Sequence, residues 1–355
     1  MRADEEFTVL AREYLDDLTQ RHPDTATRLG DHRFDDRLAE QTQAALDAER
    51  SALAGFADRL AALDSGSLGR QLAVDAAMLA DDVARRLFGL DELREETWNP
   101  LAANPGRAIY GLLVRDFAPL PERLMSLAGR LAQVPAALAD ARGLLGAMPQ
   151  VHLETAITQF DGTIRMVRDE VDRALAKATD TVAAEMAKVR PAALEALVAH
   201  RDWLKAKLAD GGDFADPRIG PERFARKLSL TLSAAADADA ILARAEADLD
   251  RVTEEVNRVA ASLGGTPRAV LDQLAADAPD GDTILRFCAD AFAAQTRFVR
   301  DHDLVTVHED PVEVIDMPEI DRGVAVAYCD SPGPLETAPL PTFIAVSPVP
   351  DGWTT

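Results

Sequence analysis

A hydrolytic zinc site on a helix needs two imidazoles one turn apart with a glutamate beside the first. Positions i and i+4 share a face, and the carboxylate polarises the metal-bound water. The six histidines of this sequence contain no such pair. His308 and Glu309 are adjacent, but Val312 stands where the second histidine would fall, so they read as a surface pair at the end of a strand. His152 and Glu154 match half of a deaminase signature, which also requires Cys-x-x-Cys, and Cys288 and Cys329 are far apart. Glu195 and His200 miss the i, i+3 spacing of carboxylate-bridged di-iron helices. Neither a Gly-x-Ser-x-Gly elbow nor a Gly-Lys-Ser/Thr phosphate loop is present. The sequence therefore predicts no catalytic residue, no metal ligand set and no cofactor held by this chain.

Two polar features remain. Leu29, Gly30, Asp31 and His32 are followed by Asp35, an arrangement that reads as a loop hydrogen-bond device. Trp98, Asn99 and Pro100 form an aromatic corner, with Asn104, Pro105 and Gly106 just behind.

The elements that would carry these residues are mostly helices. Phe7, Leu10, Tyr14, Leu15 and Leu18 line one helical face, which should end before Pro23 because a residue preceding proline resists the α region. A short helix over 24–29 stops at Gly30, and Leu46, Leu53, Phe56, Leu60 and Leu63 mark the next. Helical periodicity continues over 68–90, from 121 past Pro135 to about 144, and then over 153–188 and 191–210, with the break at Pro191. From Leu242 through Ala245, Leu249, Val252, Val256 and Val259 to Leu263 the apolar steps alternate three and four. That seam reads as one member of a helix bundle. After a helix near 282–300, short β-branched or aromatic runs at 304–307, 312–315, 324–328 and 343–346 read as strands.

The fold class is thus mainly α: a long-helix bundle over 1–303, followed by a small C-terminal β segment over 304–355. The last strand run has no element behind it, so the sheet reads as part of an incomplete domain.

Composition narrows the partners. A formal charge of −23, from 61 acidic and 38 basic residues, repels polyanions and excludes nucleic acid. The first twenty residues carry acids where a secretory signal would be basic and then apolar, and no run approaches a membrane span, so a cytoplasmic location and no membrane partner are expected. Two thiols, one in a helical and one in a strand pattern, fit a reducing compartment.

Several segments together resemble a bacterial family, domain of unknown function 885, whose members also look like carboxypeptidase Taq-type zinc peptidases. The segments are 23–30 (PDTATRLG) with His32, Asp35 and Leu38; Pro121, Glu122, Arg123 and Leu124; 130–138 (RLAQVPAAL); and 214–224 (FADPRIGPERF). The resemblance implies a helical region, a small sheet and then a zinc helix bearing HExxPGH, which this sequence does not contain. It implies the N-terminal part of a metallopeptidase acting on short peptides or related amides, with zinc and a peptide substrate belonging to a complete relative. The alternative is a non-catalytic α-helical binding protein that keeps the scaffold. Gluzincin-like enzymes place an edge strand before the zinc helix, where it pairs with an extended substrate; Thr342, Phe343, Ile344 and Ala345 occupy that place here. The unfinished sheet should leave Phe343, Ile344, Val346 and Trp353 bare.

Overall fold

The computed structural model describes residues 2–276, 279–281, 283–318, 321–322 and 325–348. Two compact units are present: Met1–Ser233 with Pro332–Leu340, and Ala234–Ser331 with Pro341–Thr355.

Apart from Pro332–Leu340, the first unit is built of helices: α1 Arg2–Arg21, α2 Pro23–Leu29, α3 Gln43–Ala62, α4 Arg70–Phe88, α5 Gly106–Val114, α6 Leu120–Leu144, α7 Gln150–Arg165, α8 Val171–Leu175, α9 Asp180–Ala209 and α10 Pro221–Leu232. Local chemistry sets the ends. Pro23 opens α2, and Gly30 closes it in the left-handed region at φ 89°. Thr42 caps α3 by accepting a hydrogen bond from the Ala45 amide at 3.1 Å. Thr42→Ala should lower stability by about 1 kcal/mol, read as an earlier urea midpoint with unchanged slope.

Two cores hold this unit. Leu10 and Tyr14 of α1 pack against Leu53 and Phe56 of α3 and Val83 of α4, with the Tyr14 and Phe56 rings edge to face at 5.3 Å. The larger core lies along α6, whose Leu124, Leu127, Leu131, Val134 and Leu138 are buried with Leu153 and Phe160 of α7 and Met186, Leu197 and Leu204 of α9. Each such side chain contributes roughly 1.5 to 3 kcal/mol on burial.

Pro191 does not break the chain as the sequence suggests. It is exposed inside a continuous α9, held through by Met186, Ala193 and Leu197, which are buried on either side of it. The break falls instead at 176–179, after a π turn at Met166–Glu170 and the short α8.

The second unit contains α11 Ala238–Ser262, α12 Pro267–Ala275, α13 Ile284–Asp301, β1 Val312–Asp316, β2 Ala327–Asp330 and β3 Thr342–Val346. The strands form one sheet in the order β1-β3-β2. β1 runs parallel to β3, with Val312 opposite Thr342, and β2 runs antiparallel, with Tyr328 opposite Ala345. Mainly helical architecture with a small late sheet is therefore what the chain adopts. The run at 304–307 is not a strand: Asp303 turns the chain at φ 49°, and Leu304 and Val305 stay exposed. The division between units also falls after Ser233 and not near residue 303, because α13 packs on β1 and so belongs with the sheet.

The helices of this unit are strongly one-sided, yet their apolar stripes are open. Leu242, Leu249, Val252, Val256 and Val259 of α11 are exposed, Leu249 by 65%, as are Leu271 and Leu274 of α12 and Phe287 and Phe298 of α13. The seam read as a bundle member thus has no covering helix among the described residues. The sheet, expected to be bare, is better covered: Phe343, Ala345 and Val346 are buried and Ile344 is half-buried, while Trp353 lies outside the described residues. No helix among the described residues is long and apolar enough to cross a membrane.

Candidate functional site

The expected substrate strand is not an edge. β3 is the middle strand, bonded on one side to β1 and on the other to β2, so Thr342, Phe343, Ile344 and Ala345 have their ladder groups directed at protein neighbours. Strand order is set by long-range pairing, and a sequence run carries no mark of it. The edges of this sheet are β1 and β2.

The polar residues singled out in the sequence are dispersed. Glu309 is exposed and paired with Arg300 at 2.8 Å. His152 stacks on Trp98 at 5.5 Å, and the Trp98 indole donates to the Leu93 carbonyl at 2.7 Å. His200 is fully buried against Phe160, where its Nδ1 accepts from Arg142 Nε at 3.2 Å. Burial, then the neighbouring Arg142 charge, push His200 down to about 4. Cys288 and Cys329 are free thiols.

One sequence feature does become a built cluster. His32 Nδ1 lies 2.9 Å from Asp35 Oδ2, and its Nε2 lies 3.4 Å from Glu336 Oε2. The ring stacks on Phe117 at 3.8 Å. Thr27 Oγ1 donates to Asp35 Oδ1 at 2.5 Å and accepts from Arg130 Nη2 at 2.6 Å. Arg130 is fully buried in α6; it also donates to the carbonyls of Ala108 and Pro23, and desolvation holds its pKa below the usual arginine value. Backbone shape makes this junction possible. A Cβ on Gly30 would stand 2.5 Å from the Glu336 nitrogen, and one on Gly333 would stand 2.3 Å from the Leu29 carbonyl carbon. The Leu335 amide donates to the Leu29 carbonyl at 2.8 Å.

A cavity of about 400 Å³ lies on the same loop a few residues on, lined by Arg37, Glu40 and Gln41 together with Arg21, His22 and Glu49. Glu49 accepts from His22 at 3.0 Å and faces Arg86 at 3.1 Å. Burial pushes the Glu49 pKa up, but His22, Arg86 and Arg21 outweigh it and hold it below the usual carboxylate value. Glu49 carries a visible signal in the sequence, standing three residues after Leu46 and four before Leu53 on the apolar stripe of α3. The lining of acids, bases and amides suits a polar ligand. Among the described residues no group of three or more His, Cys, Asp or Glu is placed to hold a metal.

A family model described as "Bacterial protein of unknown function (DUF885)" matches residues 23–354. The chain belongs to the DUF885 family. The match covers nearly the whole chain. Two solved structures share the fold. One, from Shewanella oneidensis, is described as "a putative lipoprotein of unknown function"; it is 23% identical with a TM-score of 0.75, over 98% of this chain and 66% of that one. The other, described as "the putative lipoprotein from Colwellia psychrerythraea", is 15% identical with a TM-score of 0.71, over 96% of this chain and 67% of that one. This DUF885 chain therefore spans about two thirds of the length of those proteins. No curated protein matches it.

Proposed function

We propose that this DUF885 chain is the helical scaffold of a zinc-dependent hydrolase acting on short peptides or related amides, with the metal-binding helix supplied by polypeptide that packs on α11, α12 and α13. The carrying observation is the open apolar stripe of those three helices, a surface that soluble proteins cover or use. The described residues do not fit a zinc site of their own, so no step of hydrolysis is assigned to them. The greater length of the two similar structures supports the reading. A cytoplasmic location, which the two free thiols fit, is part of the proposal, and the lipoprotein descriptions of both similar structures make cell fractionation its direct check.

A non-catalytic helical binding protein is the rival reading. Burial of Phe343, Ala345 and Val346 favours it, because an unfinished catalytic domain should leave that sheet bare. The test joins this chain to the remaining third of the Shewanella oneidensis protein. The joined protein should hold one zinc per chain and cleave short peptides in a chelator-sensitive way. A joined protein with full helical content but neither zinc nor hydrolysis would favour the binding protein.

A further inference from the structure

Residues 332–340 leave the second unit after Ser331, join the first unit, and return at Pro341 to enter β3. This strap connects two paired strands, yet its own contacts are with the end of α2 and the His32 turn. We infer that the strap is a charge-dependent latch, closed when His32 is an imidazolium bridging Asp35 and Glu336, and loosened when His32 is neutral.

Carboxylates only accept, and a neutral imidazole carries one N–H, so it can donate to Asp35 or to Glu336 but not to both. The structure places Nδ1 2.9 Å from one carboxylate and Nε2 3.4 Å from the other, on opposite sides of the ring. Both contacts are hydrogen bonds only when the ring carries two protons. Burial sharpens the choice. The side chains of Asp35 and Glu336 are 7% and 10% exposed, so neither is free to turn into water while the strap is seated.

The groups facing His32 are Asp35 from its own turn, Glu336 from the strap and the Phe117 ring from the loop before α6. Arg130 of α6 stands behind Asp35 at 4.0 Å and reaches it through Thr27. Asp31, on the other side of the turn, is engaged by Arg33. With His32 charged, two carboxylates face two cations and the cluster is neutral. With His32 neutral, a buried negative charge is left over, and Glu336 meets a lone pair at the longer of the two contacts. Histidine is the side chain whose charge changes near neutral pH. The glycine contacts show how closely the strap is seated. A Cβ on Gly30 would stand only 2.5 Å from the strap backbone, so the seated strap leaves no room for a side chain there.

Hydrogen exchange of the full chain between pH 5.5 and 8.5, corrected for intrinsic amide rates, tests this at the strap, where the Leu335 amide reports docking directly. The wild type should lose roughly tenfold or more of its strap protection as pH rises, the scale of one charge-assisted hydrogen bond, while α6 and α9 hold theirs. Glu336→Gln replaces a carboxylate with an amide that can donate to the neutral ring, so its strap should stay protected across the range. Gly333→Ala should leave the strap unprotected at every pH and marks the open state. Strap protection that is flat with pH in the wild type would overturn the latch, as would a Glu336→Gln strap that opens with pH as the wild type does.

Discussion

Arg130→Ala should be among the most damaging single substitutions in this chain, lowering stability by about 3 to 5 kcal/mol. The guanidinium is fully buried and is shared among the carbonyls of Ala108 and Pro23, the Thr27 hydroxyl and, at 4.0 Å, Asp35. Truncation would leave the Asp35 carboxylate without its nearest fixed cation, take one donor each from the Ala108 and Pro23 carbonyls, and open a cavity beside Leu127 and Val134, the buried neighbours one turn before and after it on α6. Urea unfolding followed by circular dichroism measures the loss. Arg130→Lys keeps a charge but not the fork of donors, and should recover only part of it. A loss below about 1 kcal/mol for the alanine variant would mean that α2, α5 and α6 are not joined through this side chain.

Acid should weaken the larger core through His200. Burial and then Arg142 push its pKa down to about 4 in the folded chain, against about 6.5 when unfolded. Because the folded value is depressed, the unfolded state takes up the proton first as pH falls. The stabilisation is complete above about 6.5, shrinks between 6.5 and 4, and is gone below; a shift of this size corresponds to about 3 kcal/mol. Carboxylates titrate over part of the same range, so the informative quantity is the difference between wild type and His200→Phe. The variant should remove the slope between pH 6.5 and 4, whatever its stability at pH 7. An unchanged slope would assign the acid sensitivity to other groups.

Local rules carried most of the helical reading. Periodicity placed Leu10, Tyr14, Leu53 and Phe56 inside, and proline and glycine set the limits of α2. What failed depended on partners distant in sequence. Pro191 signals a break only if nothing else holds the helix, and the buried neighbours of α9 do hold it. Thr342 to Val346 reads as a strand from its residues, but being central and not an edge is decided by β1 and β2. His32 and Asp35 were visible as a local pair, whereas Glu336 completes their cluster from 304 positions away. The seam of α11 shows the opposite case: its pattern predicts a bundle member, and among the described residues no helix covers it.

That uncovered seam carries the functional account, so the most direct measurement is side-chain footprinting of Leu249, Val252 and Val256 with a small carbene or hydroxyl radical. It would compare this chain alone with the chain joined to the remaining third of the Shewanella oneidensis protein. The account predicts heavy labelling of the three residues in the chain alone and several-fold protection in the joined protein, with Leu127 and Leu131 unlabelled in both. Equal labelling of the α11 stripe in a fully folded joined protein would contradict it.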